Sequence, residues 1–566
     1  LIDSSSNIER ADDRQARLCK WFALALILLA SMVRLHRLGD LGIKDLDEVF
    51  HAIVAQNMMH DWLQPKLYRQ VWLAFDPYHW QANNIWLHKP PMAMWMISAS
   101  FSIFGDTPWA LRFPSVLFSA GAMWLVFRIG RRLVSPVVGL IAVLVLSLNV
   151  SLVRLVQGGM FSDHVDIQLL FWTCVSIDQL TIAWLDPKKS KRFVFAGIAA
   201  GLALLSKSFP ALISVGVLFS LAFLAWWWKS SLRISRRALV VFTTSMVLTI
   251  APWFMWCWFK FNDLFRHELW AQLRHLDQDV EQWGAPWDRL LFDFLPRLFD
   301  MIWPLGVCAS VLAIVRALRT RDLRLAAIVL WWFGALVPHL LAASKTPSGT
   351  LVGWPALALL IGWLVNDVVN RRGPAVGAML ACLLASFAWP LDLPRSAEVG
   401  YPPGYWFGLL AVRNQQVFWH ILIGLLGALI FNRLRLRDQE WKIANTIIAS
   451  FSLWVICTLG YGTWRITTVG RPTVAFPELR AVVEKLPENT VILLSNRTRS
   501  EHLIAMFWAR RSCYDVPESN WQSVIDGIRE MRGRPLVLTD SEFKGEVIAH
   551  VDGLNLIEPS EPSESK

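Results

Sequence analysis

A polytopic, mostly α-helical membrane body with about thirteen transmembrane helices and a small C-terminal α/β domain is the fold class that this sequence predicts. Three observations predict it. Of 566 residues, 55% are hydrophobic and only 17% are charged, whereas an ordinary soluble chain is roughly 25% charged. Trp numbers 32 against 6 Tyr, and Trp favours the membrane–water boundary. The basic residues behind a net charge of +11 fall in short clusters between apolar runs. That is a topology signal, not the single patch of a nucleic-acid binder. A plain soluble enzyme, a disordered chain and a fibrous chain are excluded.

Thirteen apolar stretches approach the ~20 residues that a bilayer needs. They lie near 20–38, 111–129, 136–155, 166–184, 193–207, 209–228, 238–258, 297–316, 323–343, 350–367, 374–391, 416–432 and 441–463. Arg10, Arg14, Arg17 and Lys20 precede the first stretch. Arg131 and Arg132 follow the second, Lys188 and Arg192 the fourth, and Arg236 and Arg237 the sixth. Arg319, Arg371 and Arg433 continue the alternation. Cytoplasmic loops carry such excess, so the N-terminus is expected inside and the C-terminal tail outside. Residues 90–105 are apolar but short. Counting them as a span would turn every later basic cluster outward, so they read as an interfacial or re-entrant helix. The first apolar run shows no small-residue cleavage site and reads as an uncleaved span.

A membrane domain is thus expected over 1–463, with long outer-face loops at 39–110 and 259–296. An extracytoplasmic α/β domain is expected over 464–566. In that tail, Val491–Leu494 and Pro535–Leu538 read as strands around a helix near His502–Arg511. The closing EPSEPSESK reads as disordered. The seven Cys have no metal-ligand spacing and an odd count, so they read as small apolar residues.

The chemistry should lie on the outer face. Asp45, Asp47 and Glu48 open a stretch that reads as an amphipathic helix, where acids in the first turn also suit the helix dipole. Lys89 sits in His88-Lys89-Pro90-Pro91, and the prolines fix the backbone beside it. Asp163 and Asp166 are three apart and share a helix face. Lys207, between two apolar runs, and Lys345, at the end of a span, are costly positions for charge. Three lysines and at least two acids therefore converge on one face. Lysines there can bind a lipid phosphate, a neighbouring carboxylate can act as general base, and positive charge stabilises a departing phosphate. The set describes group transfer from a membrane lipid phosphate, and no Walker A loop or dinucleotide fingerprint is present. A flippase would also be charged and polytopic, but would place its charges at midplane between repeats.

Several pieces together resemble the GT-C class of polyprenyl-phosphate-sugar glycosyltransferases. They are Asp47-Glu48, Asn57-Met58, Trp62, Lys89-Pro90-Pro91-Met92, Leu111-Arg112-Phe113-Pro114, Gly130-Arg131-Arg132, the run from Asp166, Lys207, and Ser344-Lys345-Thr346-Pro347. The likeness is greatest to the bacterial aminoarabinose (lipid A) transferases and their protein O-mannosyltransferase relatives, and it covers roughly residues 20–360. It implies an inverting transfer with Asp47 as general base, Glu48 supporting it and Asp166 as the second acid, with Asp163 competing for that place. It implies that Lys89 holds the donor phosphate, and that Lys207, Lys345 and Arg266 of the third outer loop serve the phosphate or acceptor region. The implied partners are a polyprenyl-phosphate sugar, a lipid or glycan acceptor and membrane lipids, with no nucleic acid. His88 stands where the family often has an acid, and it lines the expected cavity. A divalent metal could sit beside it, but nothing in the sequence requires one.

Overall fold

The computed structural model describes residues 2–159, 163–280, 283–388, 407–434, 438–468, 476–497 and 500–560. Helices α1 (Ile2–Leu35), α2 (Asp47–Met58), α3 (Met92–Phe104), α4 (Pro108–Leu133) and α5 (Pro136–Ser147) open the chain. After them come α6 (Val150–Val156), α7 (Asp163–Leu185), α8 (Arg192–Ser206), α9 (Ile213–Trp227) and α10 (Arg236–Arg274). Further helices run over Trp303–Thr320, Leu323–Leu341, Trp354–Val369, Gly373–Ala388, Phe407–Arg433 and Asp438–Thr468.

Each of the thirteen expected spans coincides with a helix, yet their lengths differ. Among the described residues, ten helices are long and apolar enough to cross a bilayer, or eleven if the bent pair α5–α6 is one span. The helices α8 and Gly373–Ala388 are shorter. α5 and α6 meet at 63° because Asn149 breaks the run: its side chain caps Leu152 N at 2.8 Å and donates to Leu298 O at 2.9 Å. Residues 92–104 form a thirteen-residue helix, α3. At one end of the bundle, basic residues pair across helices. Arg128 and Arg132 reach Asp178 at 3.1 Å each, Arg316 reaches Asp367 at 2.8 Å and Arg371 reaches Asp438 at 3.0 Å.

The opposite end holds the remaining polar structure. The stretch expected as a loop from 259 is still helix to Arg274, with a break in helical geometry at Asn262 (φ 19°, ψ −93°). The loop after it pairs with the end of Leu323–Leu341 through a bridge between Gly284 and Ser344, and Lys345 N donates to Trp283 O at 2.8 Å. The tail carries strands β1 (Thr490–Leu494), β2 (Cys513–Asp515), β3 (Arg534–Thr539), β4 (Gly545–Val551) and β5 (Leu554–Pro559), in the order β2-β1-β3-β5-β4. β1 pairs in parallel with β2 and β3, and β5 antiparallel with β3 and β4. The end expected to be disordered enters this sheet: Glu558 lies in β5 and accepts from Arg534 at 2.6 and 2.7 Å. Residues 561–566 lie outside the described residues.

This sheet domain seats on α2 and its flanks. Asp106, 2% exposed, accepts from Arg480 at 3.0 Å on both oxygens and from Arg510 Nε at 2.9 Å. Gln56 of α2 donates to the same carboxylate and to Phe507 O. Tyr68 stacks on Tyr514 at 4.9 Å, and the Tyr514 hydroxyl accepts from Trp72 N.

Candidate active site

Glu48 organises the approach to the site. Its oxygens accept from Arg112 at 2.7 and 2.9 Å, and Lys44 N donates to it at 2.7 Å. Arg112 spends its other donors on Leu38 O, Leu41 O and Gly42 O. The segment leaving α1 is thereby wound around one guanidinium, whose planar fork suits such bidentate work. His164 Nε2 lies 3.3 Å from Glu48 Oε1, and its Nδ1 lies 2.8 Å from Ser115 Oγ. Burial raises the Glu48 carboxyl, but the charge and hydrogen bonds of Arg112 outweigh it and hold the group ionised well below the usual range. Gly158 makes room for this pair. Its φ is +68°, and a Cβ there would lie 2.1 Å from Glu48 Oε1.

Asp47 is the first residue of α2, half-buried beside this hub. The preceding Leu46 has φ 64° and ψ −133°. Such a conformation costs an ordinary residue ~1–3 kcal/mol and persists where surroundings over-determine it. The Glu48–Arg112 clip supplies that constraint one residue away.

Lysine and histidine side chains from four segments lie in this region, and Asp47 acts on His88 among them. Lys89 Nζ lies 3.0 Å from His88 Nε2. His88 stacks on Trp80 at 4.5 Å and lies 3.5 Å from Glu268 of α10. Lys207, at the end of α8, donates to the buried Asp166 at 2.6 Å. His275 caps α10, and burial together with the charges of Lys89, His88 and Lys207 pushes its imidazole down to about 4. Lys345 is 3% exposed, donates to Ala342 O and has its pKa lowered by burial. His88 is itself lowered by burial and by Lys89, with Glu268 and Asp47 opposing. A crevice lined by Leu87, His88, Lys89, Ser208, Trp253 and Glu268 opens here. Among the described residues, no three His, Cys, Asp or Glu side chains converge as a metal-binding group.

The comparisons with known proteins bear on this arrangement. A family model of dolichyl-phosphate-mannose-protein mannosyltransferases matches residues 88–256. Undecaprenyl phosphate-alpha-4-amino-4-deoxy-L-arabinose arabinosyl transferase 1 of Pseudomonas fluorescens (strain Pf0-1) is 25% identical over 462 residues, covering 78% of this chain and 72% of that relative. Transferase 2 of the same strain is 28% identical over 372 residues, 63% of this chain and 62% of that relative. The fold resembles ArnT from Cupriavidus metallidurans in the apo state, with a TM-score of 0.58 at 16% identity over 94% of this chain and 97% of that one.

The chain is similar in sequence to these membrane sugar transferases and shares the fold of one of them.

This transferase is a multi-pass membrane protein. Its structure brings together Asp47, Lys89, His88 and Lys207, with His275 among them. Arg266 does not join them. It is exposed on the far side of its helix turn, 3.6 Å from Asp263, and His275 from the same loop takes the inward place. Glu48 lies in the hub beside Asp47, its oxygens engaged by Arg112, Lys44 N and His164. Asp166 faces Lys207, which leaves it as that lysine's partner. Asp163 begins α7, but its side chain lies outside the described residues. Sequence reading missed Glu268, which shares its helical turn with the more conspicuous Arg266 and His267. Arg112 figures in the sequence reading only as part of a motif, with no role assigned; the contact with Glu48 gives it a task.

Proposed function

We propose that this transferase moves a sugar from a polyprenyl-phosphate donor to a hydroxyl or phosphate of a lipid or glycan acceptor on the outer face of the membrane. The observation that carries this reading is the grouping of Lys89 and Lys207 around His88 and His275, with the Asp47 charge acting on His88, which suits a phosphate monoanion or dianion beside a general base. The acceptor oxygen attacks the anomeric carbon, and its proton passes to the Asp47 carboxylate when the acceptor is a hydroxyl. The bond from that carbon to the phosphate oxygen breaks, and polyprenyl phosphate leaves with the electron pair, held by Lys89. One displacement inverts the anomeric centre. Lys207, oriented by Asp166, and Lys345 complete the positive field. The names of the relatives support undecaprenyl-phosphate aminoarabinose as donor, and lipid A as acceptor follows from the family resemblance of the sequence. The alternation of basic clusters supports an N-terminus inside and the 464–566 domain outside, in the inner membrane. A second reading, transfer of mannose to protein hydroxyls, is favoured by the family match over residues 88–256.

The test uses the purified protein in lipid nanodiscs with radiolabelled undecaprenyl-phosphate aminoarabinose and lipid A. Asp47→Asn should lower transfer by ~10²–10⁴-fold, the usual contribution of a positioned base. Transfer at the unmutated rate by Asp47→Asn would remove Asp47 from its role. Label arriving on protein from a lipid-linked mannose, and none on lipid A, would select the second reading.

A further inference from the structure

Three polar atoms of the first outer loop are buried without a hydrogen-bond partner among the described residues: Nδ2 and Oδ1 of Asn83 and Nε1 of Trp86. Both side chains are 0% exposed. Their backbones are satisfied, since Asn83 N donates to His79 O at 2.9 Å and Trp86 N to Pro65 O at 2.8 Å. Asn84, between them, shows the ordinary outcome: its side-chain oxygen accepts from Tyr68 N at 3.2 Å. Buried polar groups nearly always find a partner, and one left over is costly. The place of Trp86 gives that cost a purpose. Its ring stacks with Phe50 at 6.2 Å and meets His51 edge-on at 5.6 Å. Those residues follow Asp47 by three and four positions on α2, so they share its helix face. Trp86 also meets His88 edge-on at 5.7 Å, and His88 Nε2 lies 3.0 Å from Lys89 Nζ. In the proposed transfer the sugar lies between the leaving phosphate and the acceptor oxygen, because the anomeric carbon is bonded to one and attacked by the other. Trp86 borders that interval. Trp80 covers it, tilted on Phe50 at 5.1 Å and flat on His88 at 4.5 Å. Trp80 is half-buried, and the turn before it, 74–79, is exposed.

We propose that Asn83 and Trp86 recognise the donor sugar through its hydroxyl groups. A hydroxyl both donates and accepts, so it matches this set: the Asn83 oxygen takes a hydroxyl proton, and Asn83 Nδ2 and Trp86 Nε1 donate to hydroxyl oxygens. All three atoms belong to neutral groups, which suits an uncharged hydroxyl and leaves the phosphate to the lysines. In the free protein the loop is closed over them. Entry of the donor moves Trp80 and its exposed turn aside, and the sugar supplies the missing hydrogen bonds. The cost carried by the free protein then becomes selectivity, because a polyprenyl phosphate without its sugar leaves these atoms unpaired. The inference rests on the proposed reaction, with Lys89 at the phosphate and Asp47 at the acceptor.

The experiment measures binding to the full chain in nanodiscs of undecaprenyl phosphate and of its aminoarabinose and mannose derivatives. The sugar-bearing probe that counts is the one the unmutated protein transfers. Asn83→Leu and Trp86→Phe keep a similar shape and remove the hydrogen-bonding atoms. Each should bind the sugar-bearing lipid about tenfold more weakly, the worth of one hydrogen bond, and bind undecaprenyl phosphate as well as the unmutated protein does. The thermal midpoint of each without ligand should hold or rise, because an unpaired polar group is gone. Three results would overturn the proposal: unchanged affinity of both variants for the sugar-bearing lipid, equal weakening towards lipid with and without sugar, or a lower midpoint in both variants, which would make these atoms structural anchors of the loop. If the unmutated protein transfers neither sugar, the transferase reading falls and this inference with it. If it transfers one and both variants bind that donor equally well, the inference alone falls.

Discussion

Removing the Asp106 carboxylate should release the tail domain from the helix that carries Asp47. Asp106 is 2% exposed and accepts from Arg480, Arg510 and Gln56. Breaking a buried ion pair by deleting one partner costs ~3–5 kcal/mol, because the other charge stays behind. The arginines are 19% and 35% exposed, so solvent screens part of that penalty, and about 3 kcal/mol is the expected loss for Asp106→Ala. At 1.4 kcal/mol per tenfold, the docked-to-undocked ratio should fall roughly a hundredfold. Amide hydrogen exchange reads this directly, since protection reports the free energy of local opening. Protection should fall by that factor over Glu501–Ala509 and along α2, while the membrane helices stay unchanged. Adding Arg510→Ala should cost less than the sum of the single changes, because Asp106→Ala leaves two guanidiniums facing one another. Unchanged exchange at Glu501–Ala509, or an equal loss across the whole chain, would refute the clasp.

The same clasp sets an acid limit. Burial raises the Asp106 carboxyl, but Arg510 and Arg480 hold it below the ordinary aspartate range. A depressed folded-state value stabilises docking above the unfolded pKa of about 3.9, and that contribution disappears as pH falls through the folded value. Tail protection should therefore survive about one unit above that pKa, near pH 5, and fail in stronger acid, whereas Asp106→Asn should lack this component at every pH. Gly158→Ala should lower the thermal midpoint and the yield of folded protein, because the new methyl meets Glu48 and Arg112 at a left-handed φ; a midpoint equal to that of the unmutated protein counts against the hub. Lys207→Met leaves the buried Asp166 without its lysine and should lower the unfolding midpoint by several degrees, at a cost of about 2–4 kcal/mol. Joining Asp166→Leu to it should recover most of that loss without restoring transfer, and a melting curve of the single variant that overlays the unmutated one would contradict the pairing.

Much of the fold was legible along the chain because a bilayer imposes a one-dimensional rule. Apolar runs of a given length and alternating basic clusters locate helices without any knowledge of their neighbours, and each expected stretch coincides with a helix. Where the rule is weakest, it gave way. α10 runs on to Arg274 because nothing after Lys260 stops a helix until that point, while Asn262 bends it. Glu558 reads as part of a polar, disordered end, yet it becomes ordered once Arg534 lies opposite in the sheet. Local composition carries no information about a partner 24 residues away.

The sequence by itself determined the membrane body and the α/β tail, and it singled out the ionisable residues assigned in the proposed lipid-phosphate chemistry: Asp47, Lys89, Asp166, Lys207 and Lys345. Only the tertiary structure decided what each of them faces. Glu48 and Asp47 are neighbours with opposite surroundings, one committed to Arg112 and the other beside the cationic cluster. Arg266 and Glu268 are two positions apart on a helix and point to opposite sides, so one meets solvent and the other meets His88. The physical reason is that hydropathy is a property of a segment, whereas a charged side chain takes its role from the few ångströms around it, and those are filled by residues distant in sequence.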